Sequence, residues 1–207
     1  MQYLYPFIIS FIFILFSELG DKTQILVLSF SARNRASHIL LGVALGTLFS
    51  HGLAIAFGSH LGIMGNENFV NYLKFFTYCS FLLFGIVGFW NLKKASSLSE
   101  SEETNSKSRI INLLTSLTKN TIFIVASTIA IGEVGDKTFL ASIGLGIEYP
   151  LFKISLICGS ICGMVISNSI AIFLGKWLGS KISSTAIEVL SNLIFILFGL
   201  IGLLSQI

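Results

Sequence analysis

Apolar and polar residues alternate in long blocks along this chain, and six of the apolar blocks contain about 20 residues, enough for an α-helix to cross a bilayer. The blocks cover residues 5–30, 39–61, 72–92, 121–145, 151–174 and 187–204. The connections between most of them are short. The pattern predicts an all-α polytopic membrane protein with six transmembrane helices.

The composition excludes most soluble classes of protein. Hydrophobic residues make up 54% of the 207 residues and charged residues 11%, against roughly 25% charged residues in globular proteins. So few charges cannot cover the surface of a soluble domain of this size. We therefore expect a chain surrounded by membrane lipid, which is neither a soluble enzyme nor a nucleic-acid-binding protein.

A polar stretch divides the six segments into two groups of three. Residues 93–120 are rich in Ser, Glu and Lys and show no apolar periodicity, which is typical of a linker. The predicted domain organisation is a three-helix unit over 1–92, a cytoplasmic linker over 93–120 and a second three-helix unit over 121–207.

The two units repeat each other. Residues 18–23, Glu-Leu-Gly-Asp-Lys-Thr, match residues 133–138, Glu-Val-Gly-Asp-Lys-Thr, at an offset of 115. Glycine and serine positions of the second and fifth segments match at an offset of 117. Because each unit has an odd number of helices, the second enters the membrane from the opposite side. The sequence thus predicts the inverted repeat of secondary transporters, with a binding site near the midplane.

The distribution of Lys and Arg predicts the orientation. Nine of the 13 lie on one side of the segments, Lys74 and Lys153 lie on the other, and Lys22 and Lys137 fall within the hexapeptides. Cytoplasmic loops carry an excess of these residues, so both termini are expected to be extracytoplasmic. No Lys or Arg precedes the first apolar segment, which we interpret as a spanning helix and not as a cleaved signal peptide.

Four carboxylates lie inside predicted spans: Glu18, Asp21, Glu133 and Asp136. A charge at the bilayer centre costs at least about 2.5–3.5 kcal/mol, and such residues normally face the bundle interior and act on ions or protons. Glu and Asp three positions apart share one face of a continuous helix, and the glycine between them permits local unwinding. A purely structural alternative is a buried ion pair within each hexapeptide, Glu18–Lys22 and Glu133–Lys137.

Four carboxylates close together repel one another unless they bind a metal ion, protons, or each in turn, which is the physical basis of metal/proton exchange. Oxygen ligands suit Mn²⁺, Ca²⁺ or Mg²⁺. His51, at the position matching Asn168, would favour Mn²⁺ over Ca²⁺, or else it is a hydrogen-bonded packing residue. The further oxygen donors are the side chains of Thr23, Thr138, Ser50, Ser167 and Asn168.

The paired E-x-G-D-[KR]-[ST] motifs resemble those of the Gdt family of cation/proton antiporters, in the lysine-exporter superfamily, which includes bacterial manganese exporters and Golgi manganese/calcium transporters. The resemblance covers nearly the whole chain. It implies that Glu18, Asp21, Glu133 and Asp136 bind the cation, while the remaining motif positions have less defined roles. Those positions are Lys22, Thr23, Lys137 and Thr138.

The resemblance also implies a location and a substrate. The short N-terminus and the lack of a large extra domain are similar to prokaryotic members, which predicts a multi-pass protein of the plasma (inner) membrane. The implied function is export of Mn²⁺ or Ca²⁺ in exchange for protons. No cofactor is expected other than the transported ion, and no oligomeric state is predicted.

Three other functions fit parts of the pattern. An exporter of a small organic cation such as lysine could use the paired carboxylates, although neither hexapeptide contains an aromatic residue. A passive divalent-cation channel would need the same ligands but no protons. An intramembrane aspartyl protease could use Asp21 and Asp136 as a dyad, but position 133 is Glu where that class has Gly.

Overall fold

The computed structural model describes residues 2–19, 21–31, 34–94, 120–178 and 184–205, which are helical with short connections and contain no β-strand. Most of the predicted linker lies outside the described residues, as do Gly20, Arg33 and the side chain of Lys22. The helices are α1 (Leu4–Ser17), α2 (Lys22–Ser31), α3 (Ala36–Met64), α4 (Glu67–Lys94), α5 (Thr121–Glu133), α6 (Lys137–Glu148), α7 (Lys153–Leu178, after a 3₁₀ turn at Pro150–Phe152) and α8 (Ser184–Leu204).

Three helical stretches are long and apolar enough to cross a membrane, judged by length and composition: Ala36–Met64, Glu67–Trp90 and Pro150–Phe173. They coincide with the second, third and fifth predicted segments. Shorter apolar helices cover Leu4–Ser17, Thr121–Glu133 and Val189–Leu204. The all-helical, membrane-type fold is therefore confirmed, while the arrangement as six spans in an inverted repeat remains a prediction.

The first and fourth predicted segments are not continuous helices, so that part of the prediction is wrong. Each is divided at its hexapeptide, the first into α1 and α2 and the fourth into α5 and α6. At the second break the Asp136 N–H donates to the Glu133 carbonyl over 3.1 Å. Val134 has φ −64° and ψ 121°, and Gly135 has φ 86°. These are the angles of a type II turn, whose third position requires glycine.

The first break has the same hydrogen bond. The Asp21 N–H donates to the Glu18 carbonyl over 3.2 Å, which again closes a four-residue turn. Glu and Asp of each hexapeptide were predicted to share one face of a continuous helix. They instead flank a turn and do not share a helical face.

The long helices α3 and α7 each pack against the divided helix of the other half. Helix α3 lies along α5 and α6, whereas α7 lies along α1 and, less extensively, along α2. Glycines make the close approach possible. A Cβ at Gly58 would collide with the carbonyl of Ile143, and one at Gly159 would collide with the carbonyl of Phe7. The repeated glycines of the second and fifth predicted segments thus mark close helix packing.

Replacing Gly135 with Ala should destabilise the protein through the backbone alone. A Cβ there would meet no atom within 4 Å, but its left-handed conformation costs a non-glycine residue roughly 1–2 kcal/mol. Gly132 is the matched control, because its Cβ would also meet nothing within 4 Å and it lies in α5. Thermal unfolding in detergent should show a lower transition temperature for Gly135→Ala and no decrease for Gly132→Ala. Equal behaviour of the two variants would contradict the turn requirement.

Candidate cation site

Glu18, His51 and Glu133 meet in the interior, and we call these three residues the central site. One ligand atom from each lies within 4.8 Å of the others. All three side chains are buried, with at most 1% of their surface exposed. Two carboxylates and an imidazole at this separation form a donor set that can coordinate a divalent metal ion.

The helix breaks and the glycine contacts bring the central site together. Glu18 follows the last residue of α1, and Glu133 is the last residue of α5, so both lie where a helix ends. His51 lies in the middle of α3, two turns before Gly58 and hence on the same side of that helix. Since Gly58 packs against α6 at Ile143, His51 faces the second break.

Hydrogen bonds orient part of the central site and leave other atoms unused. His51 Nδ1 lies 2.7 Å from Ser142 Oγ, and the Thr138 hydroxyl lies 3.5 Å from Glu133 Oε2. His51 Nε2 has no hydrogen-bond partner among the described residues, and neither oxygen of Glu18 reaches hydrogen-bond geometry, although the Thr138 hydroxyl lies beside that carboxylate. Buried polar atoms without partners are rare in folded proteins, so these atoms are available to a ligand.

Asp21 and Asp136 lie next to the central site but do not belong to it. Asp21 Oδ2 accepts hydrogen bonds from the Thr23 hydroxyl over 3.2 Å and from the Thr23 N–H over 3.4 Å. Asp136 is the residue that begins α6, with extended backbone. Both are less buried than the two glutamates. The positive end of a helix dipole accommodates a carboxylate at such a position.

The negative charges nevertheless act on one another. Glu133, Asp21 and Asp136 all lie close enough to Glu18 for their charges to repel its carboxylate. The structure therefore brings two of the four predicted carboxylates into ligand distance and keeps the other two within electrostatic range. Binding of one cation by all four carboxylates therefore stays a prediction, with Glu and Asp of each hexapeptide on either side of a turn.

Lys137 contacts α8. Its ammonium donates to Ser191 Oγ over 3.3 Å and lies 5.3 Å from the centre of the Phe195 ring. The Glu133–Lys137 ion pair of the structural alternative stays a prediction. The Lys22 side chain, and with it the Glu18–Lys22 pair, lies outside the described residues.

The remaining predicted oxygen donors have varied partners. The Ser50 hydroxyl donates to the Gly46 carbonyl over 3.0 Å, and Ser167 Oγ accepts from the Gln24 amide. Asn168 donates to the Met164 carbonyl over 2.9 Å, while its buried Oδ1 has no partner among the described residues. Sequence reasoning missed Ser142. Its position one turn after Thr138 was the available signal.

Comparison of the chain with known protein families gives a match. A family model described as a divalent cation/proton antiporter, GDT1, matches residues 6–96 and 121–207. The chain belongs to the GDT1 family. The resemblance drawn from the paired motifs is thus confirmed at the level of the family. GDT1 is a family of transporters and not of enzymes.

Individual GDT1 relatives have low sequence identity to this chain, but the alignments cover most of its length. A GDT1-like protein of Synechocystis is 26% identical over 192 residues, covering 90% of each chain. A Vibrio cholerae protein named "Putative manganese exporter" is 28% identical over 195 residues, covering 93% of this chain and 87% of its own length. A chloroplastic GDT1-like protein of Oryza sativa is 30% identical, covering 95% of this chain and 61% of its own. No solved structure matches the chain.

Replacing Glu18 with Gln should stabilise the metal-free protein. The change keeps the size of the side chain, removes the repulsion with Glu133 and lowers the cost of burial, because a neutral amide is easier to desolvate than a carboxylate. Thermal unfolding in detergent with a chelator should show a higher transition temperature than wild type. Added Mn²⁺ should raise the wild-type transition through binding and should raise that of Glu18→Gln less.

The matched control is Glu148→Gln. Glu148 is an acidic residue outside the central site whose Oε2 lies 3.4 Å from Lys74 Nζ. Removing its charge should not stabilise the protein and should leave the response to Mn²⁺ intact. A metal-free Glu18→Gln protein that unfolds below wild type would show that the surroundings favour the Glu18 charge.

Proposed function

We propose that this GDT1 protein exports divalent cations, Mn²⁺ first and Ca²⁺ second, in exchange for protons. The observation that carries the proposal is the buried central site, in which Glu18, His51 and Glu133 offer ligand atoms within 4.8 Å of one another. The name of the Vibrio cholerae relative points to the same substrate. In this proposal the metal ion is the transported substrate and not a resident cofactor.

Charge balance at the central site couples the metal to protons. With both glutamates ionised the site carries two negative charges, which one divalent cation neutralises and which two protons neutralise equally. Since the cation needs the same oxygen atoms that the protons would occupy, the two kinds of occupancy exclude each other. Competition for one set of atoms is sufficient for exchange, provided that the site opens to one side of the membrane at a time.

Asp21 and Asp136 extend the proposed site to four carboxylates. Their charges act on Glu18, so they raise the local concentration of cations around the central pair. We propose that they take part in binding as the cation enters or leaves. His51 sets the order of preference, because an imidazole nitrogen is a better ligand for Mn²⁺ than for Ca²⁺.

We further propose that the two halves form an inverted repeat about an axis in the membrane plane, with alternating access through their relative movement. The paired breaks support this arrangement, and so does the reciprocal packing of α3 and α7 against the divided helices. The charge asymmetry supports a cytoplasmic linker and extracytoplasmic termini. We place the protein in a prokaryotic plasma (inner) membrane, in keeping with the bacterial relatives.

Metal-driven proton release from proteoliposomes tests the exchange. The wild-type protein should release protons in response to Mn²⁺ most strongly, then Ca²⁺, then Mg²⁺. Each of Glu18→Gln, Glu133→Gln, Asp21→Asn and Asp136→Asn should abolish the release, because each removes an anionic ligand or an attracting charge without changing the size of the side chain. Glu67→Gln is the control at an exposed acidic residue and should behave as wild type.

The same assay separates the competing functions. Metal flux without proton movement would indicate a passive channel, and proton release driven by lysine but not by Mn²⁺ would indicate an organic-cation exporter. Wild-type exchange in both aspartate variants, at matched reconstitution, would restrict the site to the two glutamates and His51.

Cysteine labelling in intact cells tests the topology. The three native cysteines, Cys79, Cys158 and Cys162, are first replaced by Ala. Glu67→Cys, at the exposed start of α4, should then react with an impermeant maleimide from outside. Ser101→Cys, in the predicted linker, should react only after the membrane is permeabilised. Labelling of position 101 in sealed cells would reverse the proposed orientation.

A further inference from the structure

Helix α6 contacts two of the three residues of the central site. Thr138 and Ser142 are four positions apart and therefore lie on one face of the helix. The Thr138 hydroxyl lies 3.5 Å from Glu133 Oε2, and Ser142 Oγ lies 2.7 Å from His51 Nδ1. Ser142 and His51 are both fully buried, so water does not compete for this hydrogen bond.

The hydrogen bond to Ser142 occupies Nδ1 of His51 and leaves Nε2 as the nitrogen that can bind a metal, with the Ser142 hydroxyl able to accept the Nδ1 proton. A neutral imidazole carries one N–H, and only the other nitrogen has a lone pair for a ligand. When Nδ1–H donates to Ser142 Oγ, the lone pair is on Nε2. That atom is buried and has no hydrogen-bond partner among the described residues. A histidine ligand normally needs such a partner on its other nitrogen to fix its tautomer and ring orientation.

The positions related to this pair by the repeat carry neither a histidine nor a serine. At the offset of 117 the position of His51 is taken by Asn168, and at the offset of 115 the position of Ser142 is taken by Val27. Val27 is also fully buried, so an apolar side chain packs acceptably at this place in the fold. Of the two related positions, the hydroxyl occurs at the one that faces an imidazole and not at the one whose counterpart is Asn168, which indicates that Ser142 serves His51 and is not needed for packing.

We infer that Ser142 is a positioning residue that holds His51 Nε2 toward Glu18 and Glu133, and that the His51–Ser142 pair makes the central site prefer Mn²⁺ to Ca²⁺. The inference rests on the proposed function. Without Ser142 the imidazole can carry its proton on Nε2 and donate it to a carboxylate of the central site, which removes both a nitrogen ligand and a free oxygen. Ca²⁺, which binds through oxygen, loses less than Mn²⁺ does.

The test is the ratio of Mn²⁺ to Ca²⁺ affinity, measured by titration calorimetry on the full-length protein in detergent. Ser142→Ala should weaken Mn²⁺ binding about tenfold, the size usual for loss of such a partner, and should change Ca²⁺ binding little. Ser142→Thr, which keeps the hydroxyl, should restore the ratio. Adding Ser142→Ala to His51→Asn should have no further effect, because the two residues act as one unit.

Two further measurements separate positioning from a general structural effect. Pulsed electron paramagnetic resonance of bound Mn²⁺ should show coupling to an imidazole nitrogen in wild type and in Ser142→Thr, and reduced coupling in Ser142→Ala. Ser59→Ala is the control, since Ser59 is a buried serine of α3 whose hydroxyl has no partner among the described residues. It should match wild type. If Ser142→Ala does not fold, Ser142→Cys, a weak acceptor of similar size, should show the same loss.

An unchanged affinity ratio in folded Ser142→Ala would overturn the inference, and so would equal losses for Mn²⁺ and Ca²⁺. The proposed function fails by a different result, namely the absence of metal-driven proton release by the wild-type protein in proteoliposomes. Selective Mn²⁺ binding that is lost in Ser142→Ala would support the role of Ser142 even then, because binding and proton coupling are measured separately.

Discussion

Two buried carboxylates, Glu18 and Glu133, are brought to within ligand distance of each other and of His51, and the rest of the fold is arranged around this costly contact. Like charges repel strongly where water is excluded, so the pair is stable only when a cation or protons neutralise it. Because the fold holds the two carboxylates close together, binding at this site depends on the charge of the occupant. The same constraint explains why a divalent ion and protons are alternatives there.

The means of enforcing the contact is the interruption of two apolar helices. A continuous helix would satisfy its own backbone through this region, whereas here each turn ends a helix at the glutamate and starts the next one near the aspartate. Gly135 makes the second turn possible through its positive φ. The long helices α3 and α7 then cover the divided helices closely, because glycines such as Gly58 and Gly159 let backbones approach.

Sequence reasoning predicted the helical membrane fold, the family and the proximity of Glu18 to Glu133, because charged residues in apolar segments and a doubled hexapeptide are visible without coordinates. It failed at the continuity of residues 5–30 and 121–145. Apolar periodicity continues through a turn, and a single glycine does not distinguish a break from close packing. The assumption of a continuous helix through each hexapeptide placed Asp21 and Asp136 on the same helical face as the glutamates. The contact between His51 and Ser142 joins residues 91 apart, which no local spacing reveals.

The ligands of the central site come from both halves of the chain, and this has a consequence for the proposed exchange. Glu18 and His51 belong to the first half and Glu133 to the second, so a bound cation bridges them. Neutralising the glutamates with protons removes the repulsion between the halves but links them at most through a hydrogen bond between the two carboxyl groups. Occupancy by the metal and occupancy by protons therefore differ in how strongly they hold the halves together, although both balance the charge. A transporter whose halves move relative to each other can use that difference to link the identity of the bound ion to its conformation.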